Sequence, residues 1–266
     1  MKERLRDARD FDTTSLSEKA HGQNLHRDYS AHFFRWSFAR RFIKSTDSVL
    51  EVGCGPERPL YRILATNRLQ LMRYYCGVDL NPLPAWHVRN ADFVGNFNFC
   101  EQYQQLTPRV DKPGKRGSAG FNVAVCMEVI EHMKPEHGRK LLKGLHYWLK
   151  PGGALLLSTP VYDGKRHAAN HIHEYEAPEL QREIERAGFK VERRFGTFMD
   201  TRHIGRRAKS DGLPADTPWA EEEVADAIRI VSTLLGDYFD RDALSNFFAP
   251  LYPNEARNNL WVCRKP

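Results

Sequence analysis

A chain of 266 residues, 41% of them apolar and 15 of them Phe, is long enough to form one large domain, or one domain with an appendage. It contains no run of about 18 apolar residues, and its charged N-terminus lacks an apolar core segment, so we expect neither a membrane-spanning helix nor a signal peptide. The net charge of +6 is compatible with an anionic partner but does not indicate one by itself.

The cysteines favour a reducing environment. The chain has five of them, widely spaced, and no two form a C-x-x-C pair. This pattern argues against a disulfide framework and against a zinc knuckle. We therefore expect a cytoplasmic protein that does not bind membranes.

The first predicted elements are a polar arm over residues 1–28 and an amphipathic helix that carries Phe34, Phe38 and Phe42 at four-residue spacing. Apolar segments that end at turn-forming or acidic residues follow, and each reads as a strand. In chain order these segments are DSVLEVG, YYCGVDL, NADFVG, FNVAVCMEV, ALLLSTP and FKVERRFGTF.

Two helices are predicted among the later strands. The first carries an apolar stripe and ends at a Pro-Gly-Gly sequence, and the second begins at Pro178 and ends near Gly188. The stripe consists of Leu141, Leu145, Trp148 and Leu149. Strands that alternate with helices at this spacing predict an α/β fold, in which a mostly parallel sheet has helices on both faces.

Residues suited to ligand binding fall at the carboxyl ends of the predicted strands, where parallel sheets bind their ligands. They are Gly53 to Gly55, Asp79, Asp92, Cys126 to His132, and Thr159-Pro160. This grouping indicates one ligand site along that edge of the sheet.

The first strand runs into a glycine turn. Gly53 and Gly55 allow a tight turn and the close approach of a ligand, and Asp79 ends the second strand, where a carboxylate can accept hydrogen bonds from both hydroxyls of a ribose. Glu51 would repel a pyrophosphate but suits a ligand that carries an ammonium or sulfonium charge. The sixth position of the turn is Arg58, so the dinucleotide pattern G-x-G-x-x-G is absent. A plain tight turn with a solvated Asp79 is the simpler alternative.

From about Asp47 to Arg194 the sequence resembles the class I S-adenosylmethionine-dependent methyltransferases. Five segments carry the resemblance in the expected order: LEVGCG, GVDLN, NADF, VCMEVIEHM and LKPGGALLLSTP. One departure is Pro56, where many relatives have a third glycine. The resemblance implies a Rossmann-like sheet of seven strands and S-adenosylmethionine as cofactor.

The resemblance also implies roles for single residues. Glu51, Gly53, Cys54 and Gly55 would hold the methionine end of the cofactor. Asp79, followed by Leu80, would hold the ribose. The residues expected around the adenine and along the cofactor are Asp92, Phe93, Cys126, Met127 and Glu128.

Glu128, Glu131 and His132 stand at positions i, i+3 and i+4, and would share one face of a helix. The E-x-x-E-H sequence is similar to that of the ubiquinone-pathway O-methyltransferases and of the small-RNA 3′-terminal 2′-O-methyltransferases, where two Glu and two His bind a divalent cation. Here the later histidine would be His173, with His171 two residues before it. Glu128, Glu131, His132 and His173 are therefore candidate ligands of Mg²⁺ or Mn²⁺.

Two other roles remain open for this group. His132 or His173 can serve as a general base with Glu131 beside it, or the residues only fix the loop. His171, taken alone, is interpreted as an ordinary surface histidine or one with its hydrogen bonds satisfied, without a role in catalysis.

The reaction expected is methyl transfer, with a hydroxyl of a small molecule as the leading acceptor. The fourth strand is followed by neither the Asn/Asp-Pro-Pro-Tyr segment of amino-directed base methyltransferases nor a Pro-Cys nucleophile. A nucleic-acid methyltransferase that uses the basic stretch 193–209 is an alternative, as is a non-catalytic partner subunit. A dinucleotide oxidoreductase is a less favoured interpretation, because the third glycine of G-x-G-x-x-G is missing and Glu51 would repel a pyrophosphate.

Four segments are expected. They are an N-terminal arm and covering helix over residues 1–46, a cofactor-binding catalytic core over 47–202, a helical insertion over 203–257, and a final edge strand over 258–266. The insertion is either a substrate lid or an extension of the core. Tyr29, His32 and Arg35 are predicted to close over the cofactor, unless the phenylalanines merely pack that helix down.

Overall fold

The computed structural model describes residues 35–65, 72–112, 120–164, 168–198, 253–254 and 256–266. These residues form a seven-stranded sheet in the order β3-β2-β1-β4-β5-β7-β6. Its strands are β1 Ser48–Val52, β2 Tyr74–Val78, β3 Ala91–Val94, β4 Phe121–Met127, β5 Leu149–Pro160, β6 Lys190–Phe198 and β7 Asn258–Arg264. The predicted seven-stranded, mostly parallel sheet is confirmed, since β1 pairs in parallel with β2 and β4, β2 with β3, and β4 with β5.

The α-helices of the described residues accompany these strands. They are α1 Pro59–Ala65, α2 Phe99–Gln102, α3 Pro135–Trp148 and α4 Ala177–Arg186. Residues 35–39 are also helical and continue into a 3₁₀ turn at Arg40–Phe42, with further 3₁₀ turns at Tyr103–Gln105 and Ile130–His132. No helix among the described residues is both long and apolar enough to cross a membrane.

The centre of the sheet is buried on both faces. Every residue of β1 and β2 is buried, and so are six of the seven residues of β4. Because both sides of these strands are covered, their sequences are almost continuously apolar instead of alternating. Polar side chains within them, such as Glu51, therefore need a specific reason to be there.

The order of the strands determines which edge of the sheet can bind a ligand. The last residue of β1, Val52, is level with Val78 at the end of β2 and with Cys126 near the end of β4. The chain runs from β1 to β2 on one side and then returns to place β4 on the other, so the connections diverge at β1. Such a switch point leaves a crevice beyond the carboxyl ends of the strands.

Helix α3 forms as its stripe predicts. Leu141, Leu145 and Trp148 are fully buried, and Leu149 begins β5 instead of ending the helix. The ammonium group of Lys265 donates hydrogen bonds of 2.7 Å to the carbonyl oxygens of His146 and Leu149. A cation at this end satisfies carbonyls that have no partner within the helix.

The chain divides into two compact units. One contains Trp36–Arg193 and Trp261–Pro266, and it holds every described residue that was a candidate for catalysis, cofactor binding or metal binding. The other contains Glu18–Arg35 and Arg194–Leu260, of which residues 35, 194–198, 253–254 and 256–260 are described; Arg35, predicted to close over the cofactor, belongs to this unit and is buried. Within it, the side-chain amide of Asn259 donates to the carbonyl of Pro253 at 2.7 Å.

Several predictions fall outside the described residues. They concern the N-terminal arm, the covering roles of Tyr29 and His32, and nearly all of the insertion over 203–257. The basic stretch 193–209 is described only as far as residue 198.

Candidate active site

The glycine turn after β1 is fastened to the end of β2. The amide of Gly53 donates to the carbonyl of Val78 at 2.8 Å, and the amide of Gly55 donates to Oδ2 of Asp79 at 2.9 Å. Both glycines have positive φ angles, 80° and 64°. A Cβ on Gly53 would lie 2.2 Å from Cγ2 of Val129. Glycine is therefore required at this position by conformation and by space.

Asp79 is oriented from two sides. Its Oδ2 faces Gly55, and its Oδ1 accepts a 2.8 Å hydrogen bond from the amide of Asn81. The residue is buried, and each carboxylate oxygen keeps a further lone pair for a ligand. This is the arrangement that a pair of vicinal hydroxyls requires.

Glu51 lies within the sheet beside the same turn. Its side chain accepts a hydrogen bond from the hydroxyl of Tyr75, and only 3% of the residue is exposed. Burial raises the pKa of Glu51 to about 8; the Tyr75 hydrogen bond opposes this rise, and the charge of Asp79 adds to it. The carboxyl is thus largely protonated at neutral pH, and a bound cation would favour its ionised form.

Asp92 lies on the opposite face of β3 from Phe93. It pairs with Cys76 across the ladder, whereas Phe93 pairs with Gly77, and successive strand residues point to opposite faces. The carboxylate of Asp92 accepts a 3.0 Å hydrogen bond from Nε of Arg109 and a 2.6 Å bond from the hydroxyl of Tyr74. Asp92 is therefore engaged inside the strand, away from its carboxyl end.

The loop that begins with Asp79 is bonded to the end of β3 and to the turn after it: the amide of Asp79 donates to the carbonyl of Val94 at 3.0 Å. The amide of Phe97 donates to the carbonyl of Asp79, and the amide of Asn96 donates to the carbonyl of Asn81, both at 3.0 Å. Asn96 has a φ of 54°, the left-handed conformation that Asn tolerates well. Sequence reasoning missed these residues, although the Gly95-Asn96 pair directly after the strand marks a turn at the ligand edge.

The end of β4 does not continue into a helix. Cys126 and Met127 are buried in the strand, and Glu128 then takes a left-handed conformation with a φ of 54°. Its Oε1 accepts a 2.8 Å hydrogen bond from the hydroxyl of Ser158, and its amide donates to the carbonyl of the same serine at 2.9 Å. The prediction that Glu128 shares a helical face with Glu131 and His132 is wrong, since the chain bends at Glu128 and forms only a 3₁₀ turn at Ile130–His132.

Glu131, His132 and His171 come together, and we call them the Glu-His-His group. One oxygen or nitrogen from each lies within 4.8 Å of those of the others. Glu131 is fully buried, and its Oε2 accepts a 3.0 Å hydrogen bond from the hydroxyl of Thr159. The carbonyl of Glu131 accepts from the amides of Ile172 and His173, at 2.8 and 3.1 Å, so the segment that carries His171 is tied to the turn after β4.

Both imidazoles of the group are held through Nδ1. Nδ1 of His132 lies 3.1 Å from the carbonyl oxygen of Asn170, and Nδ1 of His171 is hydrogen-bonded to the buried carboxylate of Glu174. Since both partners are acceptors, each neutral ring carries its proton on Nδ1 and presents Nε2 as the acceptor. The ring centroids are 5.1 Å apart in a T-shaped arrangement.

His173 lies outside this group. Its Nε2 is 3.0 Å from Oε1 of Glu179, and its ring packs edge-on against Tyr175 at 4.5 Å between centroids. The histidine that joins Glu131 and His132 is thus His171, which the sequence alone gave no reason to prefer. The spacing of His171 and Glu174, three residues apart, is the one signal that could have found it.

The cysteines near the site are buried. All five are free and buried. Burial raises the pKa of the Cys54 and Cys126 thiols well above their ordinary values. A thiolate nucleophile is therefore not available in this part of the site.

Comparisons with known proteins identify the family of this chain. A family model described as a methyltransferase domain matches residues 24–194. A protein of Mycolicibacterium smegmatis, named a probable S-adenosylmethionine-dependent methyltransferase, is 30% identical over 213 residues, which are 72% of this chain and 73% of that protein. The chain belongs to the S-adenosylmethionine-dependent methyltransferases.

Two solved structures show the same fold at low sequence identity. An S-adenosylmethionine-dependent methyltransferase from Archaeoglobus fulgidus has a TM-score of 0.54 at 16% identity, covering 94% of this chain and 97% of that one. A chain from the complex of a Haloferax volcanii methyltransferase with its activator Trm112 has a TM-score of 0.53 at 14% identity, covering 90% and 92%.

The residues at the edge of β1 and β2 fit the cofactor of this methyltransferase. Among the described residues other than its chain neighbours, no atom lies within 4 Å of a Cβ placed on Gly55, which leaves space beside the turn for a ligand. Glu51 offers a carboxyl for a cationic ligand, and Asp79 offers free lone pairs for a ribose. When bound, S-adenosylmethionine supplies a methyl group on positively charged sulfur.

Proposed function

We propose that this methyltransferase transfers the methyl group of S-adenosylmethionine to a hydroxyl of a small molecule. The observation that supports it is the Glu-His-His group at the carboxyl edge of β4 and β5. Methyl transfer is an in-line displacement, for which the protein orients the acceptor and removes its proton. A hydroxyl must lose that proton during the reaction, and a neutral imidazole with Nε2 as acceptor is a suitable base.

Within the group, His171 is the proposed base. Its Nδ1 is bonded to Glu174, whose side chain is fully buried, while 12% of the imidazole side chain is exposed. A carboxylate at Nδ1 fixes the tautomer and stabilises the imidazolium that forms when Nε2 accepts a proton. His132 and Glu131 then orient the acceptor beside it. This assigns to His171 the role that the sequence suggested for His132 or His173.

For the cofactor we propose positions along the same edge. The methionine end lies against Glu51, Gly53, Cys54 and Gly55, and the ribose lies against Asp79. The adenine then lies between Leu80 and the Asn96-Phe97 turn instead of beside Asp92, because Asp92 is bound by Arg109 and Tyr74. Cys126, Met127 and Glu128 remain the proposed residues along the cofactor.

A divalent cation is the alternative way to activate the hydroxyl, because a bound metal lowers the pKa of an alcohol that it coordinates. Two imidazoles with one carboxylate suit Mn²⁺ better than Mg²⁺ as a donor set. Glu128 and His173, which the sequence added to this set, are bonded to Ser158 and Glu179. The proposed ligands are thus Glu131, His132 and His171.

The experiment that tests the function uses radiolabelled S-adenosylmethionine with separated pools of metabolites, RNA and DNA. We expect label in the metabolite pool and a strong loss, about a hundredfold, for His171→Gln. His173→Gln is the matched control and should retain most of the activity, because its ring lies outside the Glu-His-His group. Label in RNA or DNA would support the nucleic-acid alternative, and no label in any pool would favour a non-catalytic subunit.

Chelation separates the two mechanisms. If His171 is the base, activity survives EDTA, and His171→Gln causes the same loss of activity with and without EDTA. If a cation activates the acceptor, EDTA abolishes activity and added Mn²⁺ restores it. In either case the cofactor should still bind, since it is proposed to lie at other residues.

We infer a reducing cytoplasm from five cysteines that are all free and buried.

A further inference from the structure

An arginine is buried directly behind the glycine turn. Arg58 precedes α1, has a φ of 50°, and is only 4% exposed. Burying a guanidinium is costly unless hydrogen bonds and packing compensate for its lost hydration. Its presence therefore requires an explanation beyond filling space.

The guanidinium of Arg58 connects two loops at the cofactor edge. It donates to the carbonyl of Pro56 in the glycine turn at 3.2 Å, and to the carbonyl of Pro84 in the loop after β2. The second loop begins with Asp79, Leu80 and Asn81, so the bond to Pro84 ties the chain that carries the ribose carboxylate to the glycine turn.

Two aromatic rings contact this cation, and a third ring packs against both of them. The guanidinium carbon lies 4.5 Å from the centroid of Phe93 and 5.2 Å from that of Trp86. These two rings stack at 5.7 Å with an interplanar angle of 9°, and Tyr61 of α1 contacts both edge-on, at 5.2 and 5.3 Å. We call these four residues the Arg58 cluster. It joins α1, the loop after β2 and strand β3.

The cluster acts on the residues that face the cofactor through the backbone. Asn81 donates its amide to Asp79 Oδ1, and its carbonyl accepts the amide of Asn96. A shift of the loop at Pro84 would therefore reorient the ribose carboxylate and the adjoining Asn96 turn together.

We propose that Arg58 is a positioning residue for the adenosine half of S-adenosylmethionine. It holds the loop of residues 80–86 against the glycine turn, so that Asp79, Leu80 and Asn96 are in place before the cofactor binds. Such preorganisation adds affinity, because the loop loses less conformational freedom on binding. The inference depends on the use of S-adenosylmethionine and not on the proposed acceptor.

Calorimetry with two ligands tests this role. S-adenosylhomocysteine contains both halves of the cofactor, whereas 5′-methylthioadenosine lacks the amino-acid end. Arg58→Lys keeps the charge but cannot span both carbonyls, and it should weaken both ligands by the same factor, about tenfold. Glu51→Gln should weaken only S-adenosylhomocysteine, because Glu51 is proposed to face the amino-acid end.

Two further variants distinguish a specific loss of positioning from a general loss of structure. Arg62→Lys is the matched control, because Arg62 also lies over Trp86, at 5.9 Å, but its side chain is 59% exposed. It should bind both ligands as the wild type does. Arg58→Met keeps much of the packing on the rings without the donors, and should weaken both ligands at least as much as Arg58→Lys while the protein remains folded.

The proposal is overturned if folded Arg58→Lys and Arg58→Met bind both ligands within twofold of the wild type. It is also overturned if their losses are confined to S-adenosylhomocysteine, or if Arg62→Lys shows the same loss. Each of these results can be obtained whether or not the acceptor is a hydroxyl.

Discussion

At the scale of single residues, Glu51 is a candidate cofactor ligand whose burial lowers the stability of the folded protein as the pH rises. Its pKa is about 8 in the folded protein against an ordinary value of 4.5, so the folded state holds a proton that the unfolded state releases between these pH values. The stability linked to the protonated carboxyl is complete below pH 4.5 and is lost as the pH rises through 8. The groups around it are Tyr75, Asp79, Cys54 and Cys126.

Glu51→Gln should therefore stabilise the cofactor-free protein increasingly from pH 5 to pH 8. The gain over the wild type should grow by up to about 1.4 kcal/mol for each pH unit in this window, because glutamine has no proton to lose. Denaturant unfolding of both proteins at several pH values measures this difference in stability. A constant difference between the two proteins across the window would show that Glu51 does not titrate there.

Glu128 makes a second prediction at this scale, because its φ of 54° is unfavourable for a residue with a Cβ. Glu128→Gly and Glu128→Ala both lose the side-chain bond to the Ser158 hydroxyl, but only glycine relieves the strain. We expect the glycine variant to be more stable than the alanine variant by roughly 1 kcal/mol. Chemical denaturation of both variants measures the difference.

The control is the same pair of substitutions at Arg182, an exposed residue within helix α4. There the order should reverse, with glycine less stable by about 1 kcal/mol. If alanine is also the better residue at position 128, the backbone at Glu128 is not strained.

At the scale of elements, the described helices and strands differ in how well the sequence predicts them. The apolar stripe of α3 and the continuous apolar runs of β1, β2 and β4 depend on local patterns, and all four elements were correctly predicted. The E-x-x-E-H segment also has helical spacing, but β4 extends through Met127 and Glu128 then turns the chain. Spacing alone cannot show where a strand ends, so the shared helical face was wrong.

The end of α3 gives a prediction for an element. Lys265→Met should lower the free energy of unfolding by about 1 kcal/mol, because the carbonyls of His146 and Leu149 lose their donor. Lys143→Met is the control, since Lys143 lies on the exposed face of the same helix. Equal unfolding free energies for the two variants would mean that Lys265 does not stabilise the helix end.

At the scale of the whole molecule, the parts of the site that depend on strand order were the easiest to foresee. Parallel strands bring their carboxyl ends to one edge, and this alone places the glycine turn beside Asp79. The Glu-His-His group instead depends on a loop some forty residues further along the chain, which the sequence cannot position. For the same reason the sequence pointed to His173 and not to His171 beside Glu131, and to Asp92 and not to the Asn96-Phe97 turn.

The burial of the five thiols has a consequence for how this molecule can be studied. A thiol reagent can reach Cys54 only when the glycine turn detaches from Val78, to whose carbonyl the Cys54 amide is bonded. It can reach Cys76 only when β2 leaves the centre of the sheet. The labelling rate of Cys54 therefore measures how often the glycine turn opens, and the labelling rate of Cys76 measures how often β2 leaves the sheet.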